Sequence, residues 1–210
     1  MGAAALSLCF ASCKKEVVVE KTKTEHDTIV VKETDTVVQE PMDSVAMNKA
    51  WAEYATPGDM HKMLASEVGK WDVTMTFWMA EGAPPQTDKS VAECKMVMGG
   101  RYQETTYKGK MMGMDWEGKS TVAYNNKSKQ ITSTFIDNSG TGMMVAMGEY
   151  DPAAKAFNLK GESIDPMTGK AVKYREVYSF VDDKTRKMEM FEEKDGKPEY
   201  KSLELTMIRK

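Results

Sequence analysis

The chain has 210 residues, 41% hydrophobic and 29% charged, with a formal net charge of -3, which suffices for one domain with appendages. This slightly acidic balance excludes a nucleic-acid surface, which needs clustered Lys and Arg to displace counterions from phosphates. Two histidines and three cysteines are too few and too scattered for a zinc site, and P-loop, dinucleotide-fingerprint, zincin and nucleophile-elbow motifs are absent, so no cofactor and no metal is expected.

Residues 3 to 11 form a short apolar run, far below the roughly 18 residues of a membrane span. It ends in Phe10-Ala11-Ser12-Cys13 and turns abruptly charged at Lys14-Lys15-Glu16. This resembles the lipobox of bacterial lipoproteins, in which the cysteine is acylated and becomes the first residue. Residues 1–13 then read as a lipoprotein signal peptide with Cys13 as the anchor, although Phe10 stands where Leu is usual and no Lys or Arg precedes the run. The reading implies a membrane partner through the lipid anchor and a place in the cell envelope, on the periplasmic or outer-membrane face. Cys94 would be the one remaining thiol, a small buried hydrophobe inside a strand.

Residues 14–40 carry five lysines, seven acids and five threonines, with no aromatic, Gly or Pro. Such a segment cannot build a core and reads as a charged flexible tether with an extended reach of about 90 Å. Its Val-rich clusters also have strand propensity.

From Pro41 the composition changes. Over 41–56, Asp43 and Ser44 can cap a helix whose stripe is Met47, Ala50, Trp51 and Tyr54. A second helix is predicted with Thr56 as N-cap, Pro57 at its first position, a stripe of Met60, Met63, Leu64 and Val68, and Gly69 at its C-terminal cap. His61 lies off that stripe and is expected on the surface.

After Gly69 the period changes to two, beginning with Trp71, Val73, Met75 and Phe77. Further strands are predicted at roughly 90–98, 101–109, 114–124, 130–137, 142–150, 156–163, 171–181, 187–194 and 199–209. They are joined by turn residues such as Asn125-Asn126, Asp151-Pro152 and Asp195-Gly196. About ten strands with no intervening helix make an antiparallel meander, and closing it removes the exposed edges. The expected fold is mainly β: an up-and-down barrel over 57–210 preceded by two short helices, the second closing or flanking one end.

The runs Met98-Gly99-Gly100-Arg101-Tyr102, Tyr107 to Gly118, Phe135-Ile136-Asp137, Gly140 to Met144, Asp165 to Lys170 and Arg175-Glu176-Val177 together resemble one bacterial family, the domain of unknown function 1579 family, over roughly 58–210. The resemblance implies a lipocalin-like barrel, often secreted or lipid-anchored, with no established activity. Phe135 stands where that family prefers Trp, a change that would reshape a pocket and not the fold.

A barrel of this size encloses packed side chains or one small ligand. Alternation puts Trp116, Ser120, Val122 and Tyr124 on one face, then Ser133, Phe135 and Asp137, then Val172, Tyr174, Glu176, Tyr178 and Phe180. The candidate ligand-binding residues are Trp116, Tyr124, Phe135, Asp137, Met144, Tyr174, Glu176 and Tyr178. Glu176 is a carboxylate amid apolar neighbours and needs a partner. Arg175 points the other way, so a lysine or arginine at the barrel rim is expected to pair with it, ahead of a ligand. Asp137 reads as a turn former. The 19 methionines include two clusters, Met111, Met112, Met114 and Met143, Met144, Met147, which suit Cu(I) less well than they suit core filling.

The function expected is binding of a small apolar or amphipathic ligand by an envelope lipoprotein, with catalysis as a minority reading. The alternatives are an interaction module with a filled barrel and Met-rich Cu(I) binding. No protein partner is identified by the sequence.

Overall fold

The computed structural model describes residues 43–210. The signal segment with Cys13, the tether at 14–40 and the first residues of the 41–56 segment lie outside the described residues.

Asp43 accepts a hydrogen bond from the Ala46 amide at 2.7 Å and starts α1, Ser44–Ala55. The helix ends where the Thr56 amide and hydroxyl both turn back to the Ala52 carbonyl, at 3.1 and 2.6 Å. The Asn126 side-chain amide reaches the carbonyls of Glu53, Tyr54 and Thr56, at 3.2, 3.0 and 2.8 Å, tying this end to the turn that holds Asn125 and Asn126. The predicted apolar stripe is present but buries nothing: no residue of α1 is buried, and Trp51 is 65% exposed.

The second helix, α2, is Asp59–Ala65 with Gly58 as N-cap. Its start lies two residues beyond the predicted one because Thr56 is used to close α1. Three further expectations need correction. His61 is buried: its Nδ1 accepts the Gly58 amide at 3.1 Å, and its ring meets Tyr124 edge-on at 5.8 Å. Val68 is exposed, because the helix stops at Ala65 before the stripe reaches it. Gly69, with φ 138°, opens the first strand instead of capping the helix.

Ten strands follow: β1 Gly69–Phe77, β2 Gln86–Val97, β3 Tyr102–Met111, β4 Met114–Tyr124, β5 Ile131–Asp137, β6 Met144–Asp151, β7 Ala156–Ile164, β8 Ala171–Phe180, β9 Thr185–Glu193 and β10 Tyr200–Arg209. Each pairs antiparallel with the next, and β1 pairs with β10, from Trp71 opposite Arg209 to Phe77 opposite Leu203, so the barrel closes. The edge-free meander expected from the alternation is thus the fold. β2 begins four residues before its predicted start, because Gln86-Thr87-Asp88-Lys89 holds no apolar residue to mark the period; it nevertheless pairs with β1, and the Thr76 and Thr87 hydroxyls lie 3.3 Å apart.

α2 covers the barrel end where β1 begins and β10 ends. Leu64 is 1% exposed and packs with Ile131, Phe157, Leu159 and Tyr174, mainly from β5–β8. Trp71, Met75, Cys94, Tyr107, Trp116 and Met207 form a second cluster on β1–β4 and β10. Arg209 lies over the Trp71 ring at 4.3 Å and donates to the carbonyls of Val68, at 2.8 Å, and Ser66, holding the α2–β1 connection against the barrel.

Candidate functional site

Between the two clusters lies a cavity of about 240 Å³, running from Glu67 and Trp71 at the α2 end to Phe77, Met111, Asp137 and Met144 at the other. Inward positions of β4 and β5 leave this space because several are small. Gly118, Ser120 and Ser133 alternate with Trp116, Val122 and Phe135. Gly118 is small for a reason, since a Cβ there would stand 2.7 Å from the Phe135 ring. Phe135 lies over it and stacks on Trp116 at 6.3 Å, with Tyr107 at 6.1 Å from Phe135. Six methionines, Met75, Met111, Met144, Met188, Met190 and Met207, complete much of the wall, where unbranched thioethers adapt to an irregular outline.

The base of the cavity holds a buried ion pair absent from the sequence reading. Glu67, just after α2, accepts from Arg186 Nε at 2.8 Å, Gln103 Nε2 at 2.8 Å and the Tyr178 hydroxyl at 2.7 Å. The Trp71 indole N–H donates to the Glu67 carbonyl at 2.9 Å, and Gln103 also donates to the Leu64 carbonyl at 2.9 Å. Arg186 further donates to the carbonyls of Asp182 and Thr185. Both charged side chains are 5% exposed, and each has the several partners a buried charge requires. In the sequence Glu67 falls inside the predicted second helix, off its apolar stripe, and Arg186 falls between the strands predicted at 171–181 and 187–194. The available signal was parity: Arg186 is in step with Met188 and Met190, and Gln103 with Thr105 and Tyr107.

Glu176 projects from the middle of β8 into the cavity, between Leu159 on β7 and Met190 on β9. The expected rim cation is not there. Among the described residues its carboxylate has no ion-pair or hydrogen-bond partner, and Arg175, on the outer face, is taken by Glu199 at 2.6 Å. Burial pushes the Glu176 carboxyl up to about 7. Burial likewise pushes the Cys94 thiol up to about 11 and raises the Tyr107 and Tyr178 phenols, so these three groups face the cavity uncharged.

Of the eight residues singled out by alternation and motif, Trp116, Phe135, Asp137, Met144, Glu176 and Tyr178 line the cavity. Tyr124 and Tyr174 do not. Tyr124 packs on His61 beneath α2. Tyr174 is 3% exposed and lies across Gly161, where a Cβ would stand 2.5 Å from its hydroxyl oxygen. Asp137 makes the expected turn, accepting from the Ser139 amide at 3.0 Å and hydroxyl at 2.7 Å, and also accepts from the Trp116 indole at 3.1 Å. The two methionine clusters are divided by the barrel wall: Met111 and Met144 line the cavity, whereas Met112, Met114, Met143 and Met147 are exposed.

Residues 56–209 match the family described as Protein of unknown function (DUF1579). The chain belongs to the DUF1579 family. No curated protein matches it. The DUF1579 barrel is also similar to the crystal structure of Rv2717c from M. tuberculosis, with a TM-score of 0.53 and 12% sequence identity, over 74% of this chain and 99% of that one. At that identity the likeness concerns the fold alone.

Proposed function

We propose that this DUF1579 barrel binds one small apolar or amphipathic molecule. The supporting observation is the cavity itself. Protein interiors pack to crystal-like density and hold few voids larger than a water molecule, so about 240 Å³ bounded by aromatic and methionine side chains is more than imperfect packing leaves. A dry cavity of about 150 Å³ takes a benzene-sized molecule, which scales this one to a ligand of roughly ten non-hydrogen atoms. An interaction module with a filled barrel does not fit that volume, and copper binding does not fit methionine clusters divided between inside and outside.

The test is native mass spectrometry of the full chain with propylbenzene, against the same sample denatured. A one-to-one adduct lost on denaturation, and lost also in Ser133→Phe, which fills the cavity, supports the reading. A bare mass at millimolar propylbenzene overturns it.

The cellular setting follows from the lipobox resemblance. Acylation of Cys13 would tether the barrel to an envelope membrane, since each buried methylene contributes about 0.8 kcal/mol and several chains together give stable anchoring. Cys13→Ser is then expected to move the protein from the membrane fraction to the soluble fraction of cells and to abolish labelling by a fatty-acid analogue.

A further inference from the structure

Resting on the binding reading above, we propose that the ligand is a cation: a small, largely apolar primary amine whose ammonium group pairs with Glu176. The charges around the cavity lead there. Glu67 is neutralised by Arg186 at 2.8 Å and is hydrogen-bonded by Gln103 and Tyr178. Asp137, at the far end, is occupied by the Trp116 indole and by Ser139. Among the described residues, no lysine or arginine lines the cavity. Glu176 is the carboxylate left over, facing the cavity with no donor among the described residues.

A carboxylate in an apolar enclosure is costly unless a charge-assisted hydrogen bond satisfies it. An anionic ligand would add a second negative charge, and a hydrocarbon would leave the carboxylate unsatisfied. An ammonium answers both requirements: it balances the charge and offers up to three N–H donors. The Tyr107, Trp116 and Phe135 rings line the same cavity with centroids 6.1–6.3 Å apart, and such rings accept either the apolar part of such a ligand or its cationic head.

The experiment titrates the full-length protein calorimetrically at about pH 8 with three phenylalkyl probes that differ in the end group: 2-phenylethylamine, propylbenzene and 3-phenylpropanoate. The amine is expected to bind at least about tenfold more tightly than propylbenzene, the scale of a hydrogen bond to a charged group. Glu176→Gln is expected to erase that preference while leaving propylbenzene affinity within about threefold, which also reports that the variant's cavity is intact. Equal binding of the three probes, or tightest binding of 3-phenylpropanoate, overturns the cationic assignment and leaves the small-ligand reading standing. Binding of none of the three removes the small-ligand reading and this inference with it.

Discussion

Glu176 and Arg186 are both inward-facing charges on neighbouring strands, yet they stand in opposite conditions. Arg186 has Glu67 and two backbone carbonyls; Glu176 has no protein partner among the described residues. The folded protein therefore prefers a protonated Glu176, whose carboxyl is raised from 4.5 to about 7 by burial. A raised carboxyl means that the native state binds the extra proton between those values. Its contribution to stability is then greatest at the acid end and falls by up to about 3 kcal/mol as pH rises from about 4.5 to 7, after which it is flat. His61 works in the other direction: burial and the nearby Arg101 lower it, so its contribution is present above its ordinary 6.5 and is lost as pH falls through the folded value. The difference between wild-type and Glu176→Gln urea-denaturation curves across that range isolates the first effect. The gap is expected to shift in favour of the variant as pH rises; a pH-independent gap contradicts the unpartnered carboxylate.

Arg186→Met is expected to cost about 3–5 kcal/mol in urea unfolding, because it leaves the Glu67 carboxylate buried without its counter-ion. Adding Glu67→Gln should restore a large part of that loss, where two independent effects would simply add. Alternation placed Glu176 inside and showed that it would need a partner. It did not identify the Glu67–Arg186 pair, because Glu67 falls in the predicted second helix off its apolar stripe and Arg186 lies one residue before the predicted start of its strand, so the parity it shares with Met188 and Met190 was not carried back to it.

At the scale of elements, the two helices look alike in sequence and behave differently. Each has an apolar stripe, but stripes report only that a face can be buried. In α2 the stripe meets the barrel through Leu64, and Leu64→Ala is expected to cost about 2–5 kcal/mol. In α1 the corresponding residue is Trp51, 65% exposed, and Trp51→Ala is expected to change stability by no more than about 0.5 kcal/mol. Thermal or urea unfolding of the two variants checks the contrast. A cost above about 2 kcal/mol for Trp51→Ala would mean that α1 is packed against the rest of the protein. The strands were legible wherever an apolar residue recurred every second position, and illegible at the polar start of β2. His61 was misplaced because a helical wheel marks a stripe and not the reach of a neighbouring strand: Tyr124 extends far enough to cover it.

For the whole molecule, closure was legible from arithmetic: ten strands, short turns and no helix between them leave no simpler way to protect the edges. Whether the barrel is filled was not legible, because that depends on how large and small inward residues fall opposite one another across strands. Gly118 beneath Phe135 and Gly161 beneath Tyr174 are relations of register. The result is an interior with two packed clusters and a cavity between them of about 240 Å³. The most direct measurement is a crystal structure of the full-length protein under xenon pressure, since xenon enters apolar cavities without regard to the natural ligand's chemistry. Xenon density inside the barrel, bounded by Trp116, Met144 and Met190, is the predicted result. A barrel whose side chains meet across the interior, with no xenon between them, would contradict the proposed binding of a small ligand.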